Sequence, residues 1–232
     1  FPSNVPATLN DQTVRQVARI SLGGSRLRIV LSNAYGTQPI RIGKATVAQP
    51  VESKAEEGQS NGAIAASSLH AVTFGGQETA TILPGASLVS DPVALKVPAL
   101  SSVAVSLYLP QATPLQTFHW DGRQTGWLVA GDQTRAPVLR TTEHSSTTAR
   151  PLLSAIQIET EQPARAVAVI GDSITDGATA SLDSNSRWPD FLAERLAPHG
   201  IAVINAGISG ARLLSDGMGV NALARFDRDV LA

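Results

Sequence analysis

The sequence of 232 residues contains no cysteine, and this absence removes several kinds of chemistry. Disulfides, a thiol nucleophile and thiolate-bound metals are excluded within these residues. A metal site built on histidine would need two or three clustered ligands, and the spacing of the four histidines offers none locally. They are His70, His119, His144 and His199. We therefore expect no metal site built on cysteine or on clustered histidines.

An excess of one charge sign and long apolar runs are also lacking. The 18 Lys and Arg residues nearly balance the 19 Asp and Glu residues, which argues against nucleic acid or an anionic membrane as the main partner. No apolar stretch reaches the ~20 residues needed to cross a bilayer. The length is ample for one or two domains with a substantial core. Residues 1–4 are polar and turn-like, which fits a processed N-terminus.

A strand, helix and strand follow one another in the last third of the chain. Residues 167–170 are continuously apolar, which predicts a buried strand, and the run breaks at Gly171 into small and polar residues. Residues 201–204 form a second such run, which ends in a Gly- and Ser-rich loop. The helix between them is predicted over residues 187–196, and its apolar face comprises Trp188, Phe191, Leu192 and Leu196.

The predicted right-handed crossover places the loops after both strands at the same end of a parallel sheet. Ligands of open α/β sheets bind just beyond the carboxyl ends of the strands. Ser173 therefore occupies a position where a reactive group is expected. The plainer interpretation of this residue is a helix N-cap or a turn serine.

These loops resemble the first two conserved blocks of the SGNH, or GDSL, hydrolases. Residues 171–177 (Gly-Asp-Ser-Ile-Thr-Asp-Gly) are similar to the nucleophile block, and residues 205–210 (Asn-Ala-Gly-Ile-Ser-Gly) are similar to the glycine block. The resemblance implies Ser173 as the nucleophile. It also implies the backbone N–H groups of Ser173 and Gly210 as two of three oxyanion donors, with Asp172 as structural support.

Three residues of these blocks also have structural interpretations. Gly210 could also be a glycine that a positive φ requires, which does not conflict with a donor role. Asp176 could cap the following turn or contact substrate, and we favour the cap. Asn205 is expected to bond nearby loop backbone.

Two further parts of the family pattern are absent from this sequence. The third oxyanion donor would come from the Asn of a Gly-x-Asn-Asp block, and residues 219–222 (Gly-Val-Asn-Ala) lack its final Asp and begin a helical pattern. The base would come from an Asp-x-x-His pair, and none of the four histidines has an Asp three residues before it. We expect a truncated chain, or a nicked one whose C-terminal half stays associated as a separate chain.

The chain before this unit is predicted to be all β. Alternation predicts a hairpin over residues 12–31 and further strands at 40–48, 68–74, 79–83, 93–97, 101–109, 124–129 and 152–159. We expect a β-sandwich, or jelly-roll-like, domain over residues 1–161. Residues 162–232 would form the N-terminal half of a three-layer, flavodoxin-like α/β domain.

The β part also resembles the sandwich domain that precedes the hydrolase domain in a bacterial subgroup of the family. Residues 11–16 and 28–36 carry this looser similarity. The segment 119–121 (His-Trp-Asp) and Trp127 could form a sugar-binding platform, although such residues more often pack a core or its edge.

The resemblance implies a secreted or periplasmic bacterial serine esterase or acylhydrolase that forms an acyl-enzyme on Ser173. It implies no metal ion and no organic cofactor. Its substrate could be an acetylated carbohydrate, a short-chain lipid ester or an aryl ester, and the sandwich modestly favours carbohydrate esters. The alternative is a non-catalytic carbohydrate-binding protein with a vestigial hydrolase half. Such a half-built sheet would expose apolar surface.

Overall fold

A computed structural model describes residues 5–51 and 61–231, so the predicted turn-like start at residues 1–4 lies outside the described residues. The strands in chain order are β1 (Thr8–Leu9), β2 (Gln12–Arg19), β3 (Arg26–Ser32), β4 (Ile40–Ile42), β5 (Lys44–Ala48), β6 (His70–Val72), β7 (Ala80–Ile82), β8 (Ser87–Val89), β9 (Ser102–Leu109), β10 (Thr113–Pro114), β11 (Phe118–His119), β12 (Gly126–Ala130), β13 (Ser146–Thr147), β14 (Arg150–Pro151), β15 (Leu153–Glu159), β16 (Arg165–Gly171) and β17 (Ile201–Gly207). The helices are α1 (Ser173–Asp176), α2 (Trp188–Leu196) and α3 (Ala222–Phe226), with 3-10 turns at Ala66–Ser68 and Ala197–His199 and a π-helical turn at Asp227–Leu231. None of the helices described is long and apolar enough to cross a membrane.

Residues 5–161 are here called the β region, and every strand pair described in it is antiparallel. The largest sheet has the order β13-β12-β2-β9-β5-β6, and a second sheet has the order β15-β3-β8. Buried side chains of both sheets, such as Leu107 of β9 and Ile29 of β3, belong to one hydrophobic core. Two sheets that share one core suit a sandwich, while the jelly-roll connectivity and the domain limits stay predictions.

The predicted hairpin over residues 12–31 is wrong. β2 pairs with β9 and β12, whereas β3 pairs with β8 and β15, so the two strands lie in different sheets. Between them, Ile20 N donates to Ser101 O and Gly24 N donates to Val97 O, which ties the connection to other segments. Alternation shows that a strand has one buried face, but it does not show which strand lies beside it.

Two other predicted strands also differ from the structure. The predicted strand at residues 40–48 divides into β4 and β5, which lie in different sheets, and Gly43 between them donates its N–H to Tyr108 O. The predicted strand at residues 93–97 forms only isolated bridges, from Val93 to Leu27 and from Val97 to Gly24.

A fully buried arginine braces the largest sheet. Arg15 of β2 donates to Ser106 Oγ and to the carbonyl oxygens of Gly62, Gln133, Thr134 and Ala136. Burial lowers its pKa to about 10. Because its donors are directed at five acceptors, the side chain holds the 133–136 loop against the outer face of the sheet.

Residues 162–231, here called the α/β region, begin with a parallel strand pair. β16 and β17 pair in a register that places Gly171 opposite Gly207, so both following loops leave the same end. This confirms the predicted placement of the two loops. Val167 and Ile204 on these strands are 39 % and 50 % exposed, so the prediction that both strands are buried is wrong. The sheet has two strands in the part of the chain that the structure describes, and its apolar surface therefore stays open.

Helix α2 begins as predicted but shows a different face to the strands. Arg187 is the N-cap, and Asp190 Oδ2 accepts the Arg187 N–H at 3.0 Å. Trp188 and Phe191, predicted to be buried, are exposed, whereas Pro189 and Ala193 are buried. The helix contacts β17, and its two buried residues lie outside the predicted apolar face.

The hydrogen bonds of the buried Arg15 predict an effect on stability. Replacing Arg15 by Met leaves several buried acceptors without a donor, and we expect a loss of about 3–5 kcal/mol in the free energy of unfolding. Arg135→Met is the control, because this arginine is 62 % exposed and a surface change costs within about 0.5 kcal/mol. Urea unfolding followed by circular dichroism measures both. Equal stability of the two variants would contradict a stabilising role for the Arg15 hydrogen bonds.

Candidate active site at the ends of the parallel strands

Ser173 opens a short helix directly after β16. Asp172 precedes the helix as its N-cap, and its Oδ1 accepts the Ile174 N–H at 3.0 Å. The turn closes where Gly177 N donates to Ser173 O at 3.0 Å. Ser173 is half-buried and Ile174 is 76 % exposed. The serine thus stands on a tight turn at the open end of the strand.

Two backbone N–H groups at this end have no acceptor. Within residues 5–51 and 61–231, neither Ser173 N nor Gly210 N donates a hydrogen bond. Gly210 has a φ of 74°, in the left-handed region that favours glycine. The glycine loop, residues 207–210, is fastened to the first strand because Ile208 N donates to Gly171 O at 3.0 Å. Unpaired N–H groups in two adjoining loops are what an anionic oxygen would need.

Residues 172–177 are here called the nucleophile turn, after the predicted role of Ser173. Their backbone touches that of the glycine loop. A Cβ atom on Gly207 would overlap Asp176 N and the carbonyl carbon of Thr175. Asn205 adds two hydrogen bonds, from its Nδ2 to Thr175 O at 2.9 Å and from Gly207 N to its Oδ1 at 2.9 Å. The prediction that Asn205 bonds loop backbone is confirmed.

Asp176 joins three segments and does not cap the following turn, so that expectation is wrong. Its Oδ1 lies 2.8 Å from His119 Nε2 of the β region. Its Oδ2 accepts the Ser209 N–H at 2.8 Å and the Ser209 hydroxyl at 2.7 Å. The residue is 6 % exposed. Burial raises the pKa of Asp176, but the hydrogen bonds from His119 and Ser209 outweigh it and the pKa lies below its ordinary value.

Sequence reasoning missed a second buried tie between the strands. Arg225 of α3 is 1 % exposed and donates to Ala206 O at 2.7 Å and to Gly171 O at 3.4 Å. Asp229 Oδ2 accepts from the same guanidinium at 2.8 Å. Arg225 therefore holds the last peptides of both strands. An arginine with an Asp four residues later on a helix is the one signal that could have indicated a structural role.

The β region contacts the segment after Ser173 at several points. Arg123 Nε donates to Ala180 O at 2.8 Å. Thr125 donates its N–H and its hydroxyl to the carboxylate of Asp183, both at 2.6 Å. Arg187 reaches back from α2 and donates to Gly122 O at 2.8 Å. These contacts dock segment 119–125 on the loop that follows Ser173.

The aromatic and histidine residues divide between packing and polar contacts. Trp127 is buried against Val129 and Leu139, which confirms that it packs. His119 is half-buried, and its Nε2 contacts Asp176 of the α/β region.

A general base for Ser173 is not found among the residues that the structure describes. In residues 5–51 and 61–231, the Ser173 hydroxyl makes no hydrogen bond to a histidine. The same residues hold no cluster of three His, Asp or Glu side chains that could bind a metal ion.

The close approach of the two loops predicts the effect of a methyl group. Gly207→Ala would push α1 away from the glycine loop, because the atoms it meets are backbone, and we expect a loss of about 1–3 kcal/mol. Gly219→Ala is the control, since its Cβ would meet Ile208 Cγ2 at an ordinary 3.4 Å. Thermal unfolding monitored by circular dichroism compares them. A neutral Gly207→Ala would contradict the packing of the two loops.

The lowered pKa of Asp176 predicts how stability varies with pH. The ionised carboxylate stabilises the folded state above its unfolded pKa of 3.8, and this contribution is lost as the pH falls through the lower folded pKa. Asp176→Asn should therefore be less stable than the unaltered protein at pH 6, with the difference shrinking below pH ~4. Urea unfolding across this range measures it.

The control for this prediction is Asp227→Asn. Asp227 is exposed, and its replacement should leave the pH dependence of the unaltered protein in place. A constant difference between the unaltered protein and Asp176→Asn from pH 6 to pH 2 would be inconsistent with an ionised, hydrogen-bonded Asp176.

Part of the chain is similar to a known protein family. No curated protein matches the chain. Residues 169–232 match the model of the GDSL-like Lipase/Acylhydrolase family. This segment contains Ser173, the glycine loop and Arg225, and it does not include the β region. The similarity supports an SGNH/GDSL hydrolase for the last part of the chain.

Proposed function

We propose that the chain is a serine esterase or acylhydrolase that cleaves carboxylic esters through an acyl-enzyme on Ser173. The observation that carries this proposal is the pair of unpaired N–H groups, of Ser173 and Gly210, in the two loops that follow β16 and β17. The family match over residues 169–232 supports the same reaction class. A hydroxyl beside preset donors is the arrangement that acyl transfer needs.

In this mechanism the Ser173 Oγ attacks the ester carbonyl carbon. Negative charge develops on the carbonyl oxygen, and the two N–H groups stabilise it there. Collapse of the tetrahedral intermediate breaks the bond to the alcohol, which leaves with the proton that Oγ gave up. Asp172 supports the turn by accepting the Ile174 N–H. Water then hydrolyses the acyl-enzyme.

The base and the third oxyanion donor belong to the proposal as well. We assign them to an Asp-x-x-His pair and a Gly-x-Asn-Asp asparagine that the 232 residues do not contain. They would come from further sequence, either joined to this chain or held against it as a separate polypeptide. The apolar surface left open on β16 and β17 would suit such a segment.

We propose three substrate classes and favour one of them. Acetylated carbohydrates, short-chain lipid esters and aryl esters all carry a carbonyl that Ser173 could attack. A sandwich-like β region favours carbohydrate esters, and we place the enzyme outside the cell or in the periplasm. The alternative, a non-catalytic glycan binder, gains no support from Trp127, because this ring is buried and offers no stacking face.

The direct test is intact mass spectrometry of the native protein before and after treatment with a fluorophosphonate. We expect one adduct, on Ser173, in material that includes a segment with Asp-x-x-His, because the probe requires an activated serine. Ser173→Ala should lose the adduct and at least ~1000-fold of the hydrolysis of p-nitrophenyl acetate.

The matched control is Ser215→Ala. Ser215 is exposed and lies in the same region, so its replacement should leave labelling and hydrolysis unchanged. An unlabelled Ser173 in material that contains the Asp-x-x-His segment would overturn the proposal. Affinity for a glycan without turnover would favour the binding protein instead.

A further inference from the structure

One histidine of the β region lies next to the nucleophile turn. His119 is the last residue of β11, which pairs with β14. Its Nε2 lies 2.8 Å from Asp176 Oδ1, and its side chain is 28 % exposed. The imidazole is thus held by a strand of the β region while its polar edge contacts a residue three positions after Ser173.

Asp176 extends this contact to the glycine loop. Its other oxygen, Oδ2, accepts two hydrogen bonds from Ser209, which directly precedes Gly210. An ionised carboxylate only accepts, so His119 Nε2 must carry the proton of the shared hydrogen bond. The carboxylate is therefore held from both sides, by an imidazole of the β region and by the loop that ends in Gly210.

We propose that His119 is a positioning residue, which fixes the Asp176 carboxylate and, through Ser209, the loop that carries the Gly210 N–H. This inference rests on the proposed function, in which the Gly210 N–H stabilises the oxyanion. His119 affects the rate without touching substrate, because the value of an oxyanion donor depends on its distance and direction at the developing charge.

The burial of Asp176 explains why the loss of His119 would reach the glycine loop. The carboxylate is 6 % exposed, so Oδ1 has little water to replace a missing donor. A buried carboxylate oxygen without a partner is costly, and the side chain would turn towards water or towards another donor. Either movement shifts Oδ2 and lengthens the Ser209 hydrogen bonds.

The neighbouring contacts of segment 119–125 do not perform this task. Arg123 binds Ala180 O and Thr125 binds Asp183, both beyond α1 in the chain. They dock the segment without touching the carboxylate of Asp176. This difference provides a matched control, since Thr125→Val keeps the shape and the backbone N–H but removes the hydroxyl that binds Asp183.

The first experiment measures amide hydrogen exchange by NMR. His119→Phe keeps a ring but has no donor, and we expect the Ser209 amide to exchange about tenfold faster. His119→Gln supplies an N–H at the same place and should restore slow exchange within about threefold. Thr125→Val should leave the Ser209 amide within about twofold of the unaltered protein. Equal acceleration in His119→Phe and Thr125→Val would overturn the inference, because docking alone would then explain it.

A second measurement needs no variant, so it holds even if His119→Phe fails to fold. Long-range proton–nitrogen spectra of the unaltered protein at pH 7.5 identify which ring nitrogen of His119 carries a proton. We expect it on Nε2, facing Asp176. A bare Nε2 would overturn the inference, since two acceptors cannot share a hydrogen bond.

The third measurement separates this inference from the proposed function. In material that contains the Asp-x-x-His segment, the fluorophosphonate should label Ser173 about tenfold more slowly in His119→Phe, and His119→Gln should recover most of that rate. An unchanged rate in His119→Phe would overturn this inference alone. An absence of labelling in the unaltered protein would overturn the proposed function, and this inference with it.

Discussion

The parallel register of β16 and β17 is the constraint on which the candidate site depends. Because Gly171 lies opposite Gly207, the nucleophile turn and the glycine loop begin at the same level of the sheet. A shift by one residue would move Ser173 relative to Gly210 by a strand rise of about 3.3 Å and would turn every side chain to the other face. The Ile208 N–H bond to Gly171 O maintains this register beyond the ladder itself.

Buried charges then hold the two loops in place. Arg225 fastens the last peptides of both strands, and Asp176 fastens the nucleophile turn to Ser209. Burying an ion is costly, and hydrogen bonds rarely return much more than that cost. What such groups supply is direction, because each donor or acceptor fits one arrangement of its partners. Their presence at this end of the sheet, where two loops must keep a fixed distance, agrees with a site built for geometry and not for maximal stability.

The sequence was most informative where a local pattern is repeated or where a block resembles a known motif. Residues 167–170 and 201–204 lie within β16 and β17, and the helix predicted from residue 187 begins at Trp188. These features depend on short-range periodicity and capping, which a single sequence displays. The pairing of β2 and β3 with other strands could not be predicted, because alternation does not encode the partner.

The candidate site shows the same division. Ser173 and Gly210 are predicted as site residues from their blocks, and this stays a prediction. The prediction that Asn205 bonds loop backbone is confirmed by its contacts. The partnership of His119 with Asp176 joins residues 57 positions apart, and no local pattern indicates such a contact. Arg225 was missed because a charged residue on a short helix is ordinarily a surface residue.

The contacts between the β region and the α/β region explain how a distant strand could influence the nucleophile turn. Interfaces between domains that are small and polar usually permit relative motion. Here the polar contacts occur at separate places: Ser21 Oγ bonds both N and O of Val203 on β17, and Arg19 binds Glu194 on α2. Segment 119–125 adds a further attachment, beside α1. A rotation about any one of these attachments, along the strand, along the helix or at the loop, would have to break another. The β region is therefore able to serve as a fixed reference for Asp176, and the open end of the parallel strands takes part of its geometry from outside the α/β region.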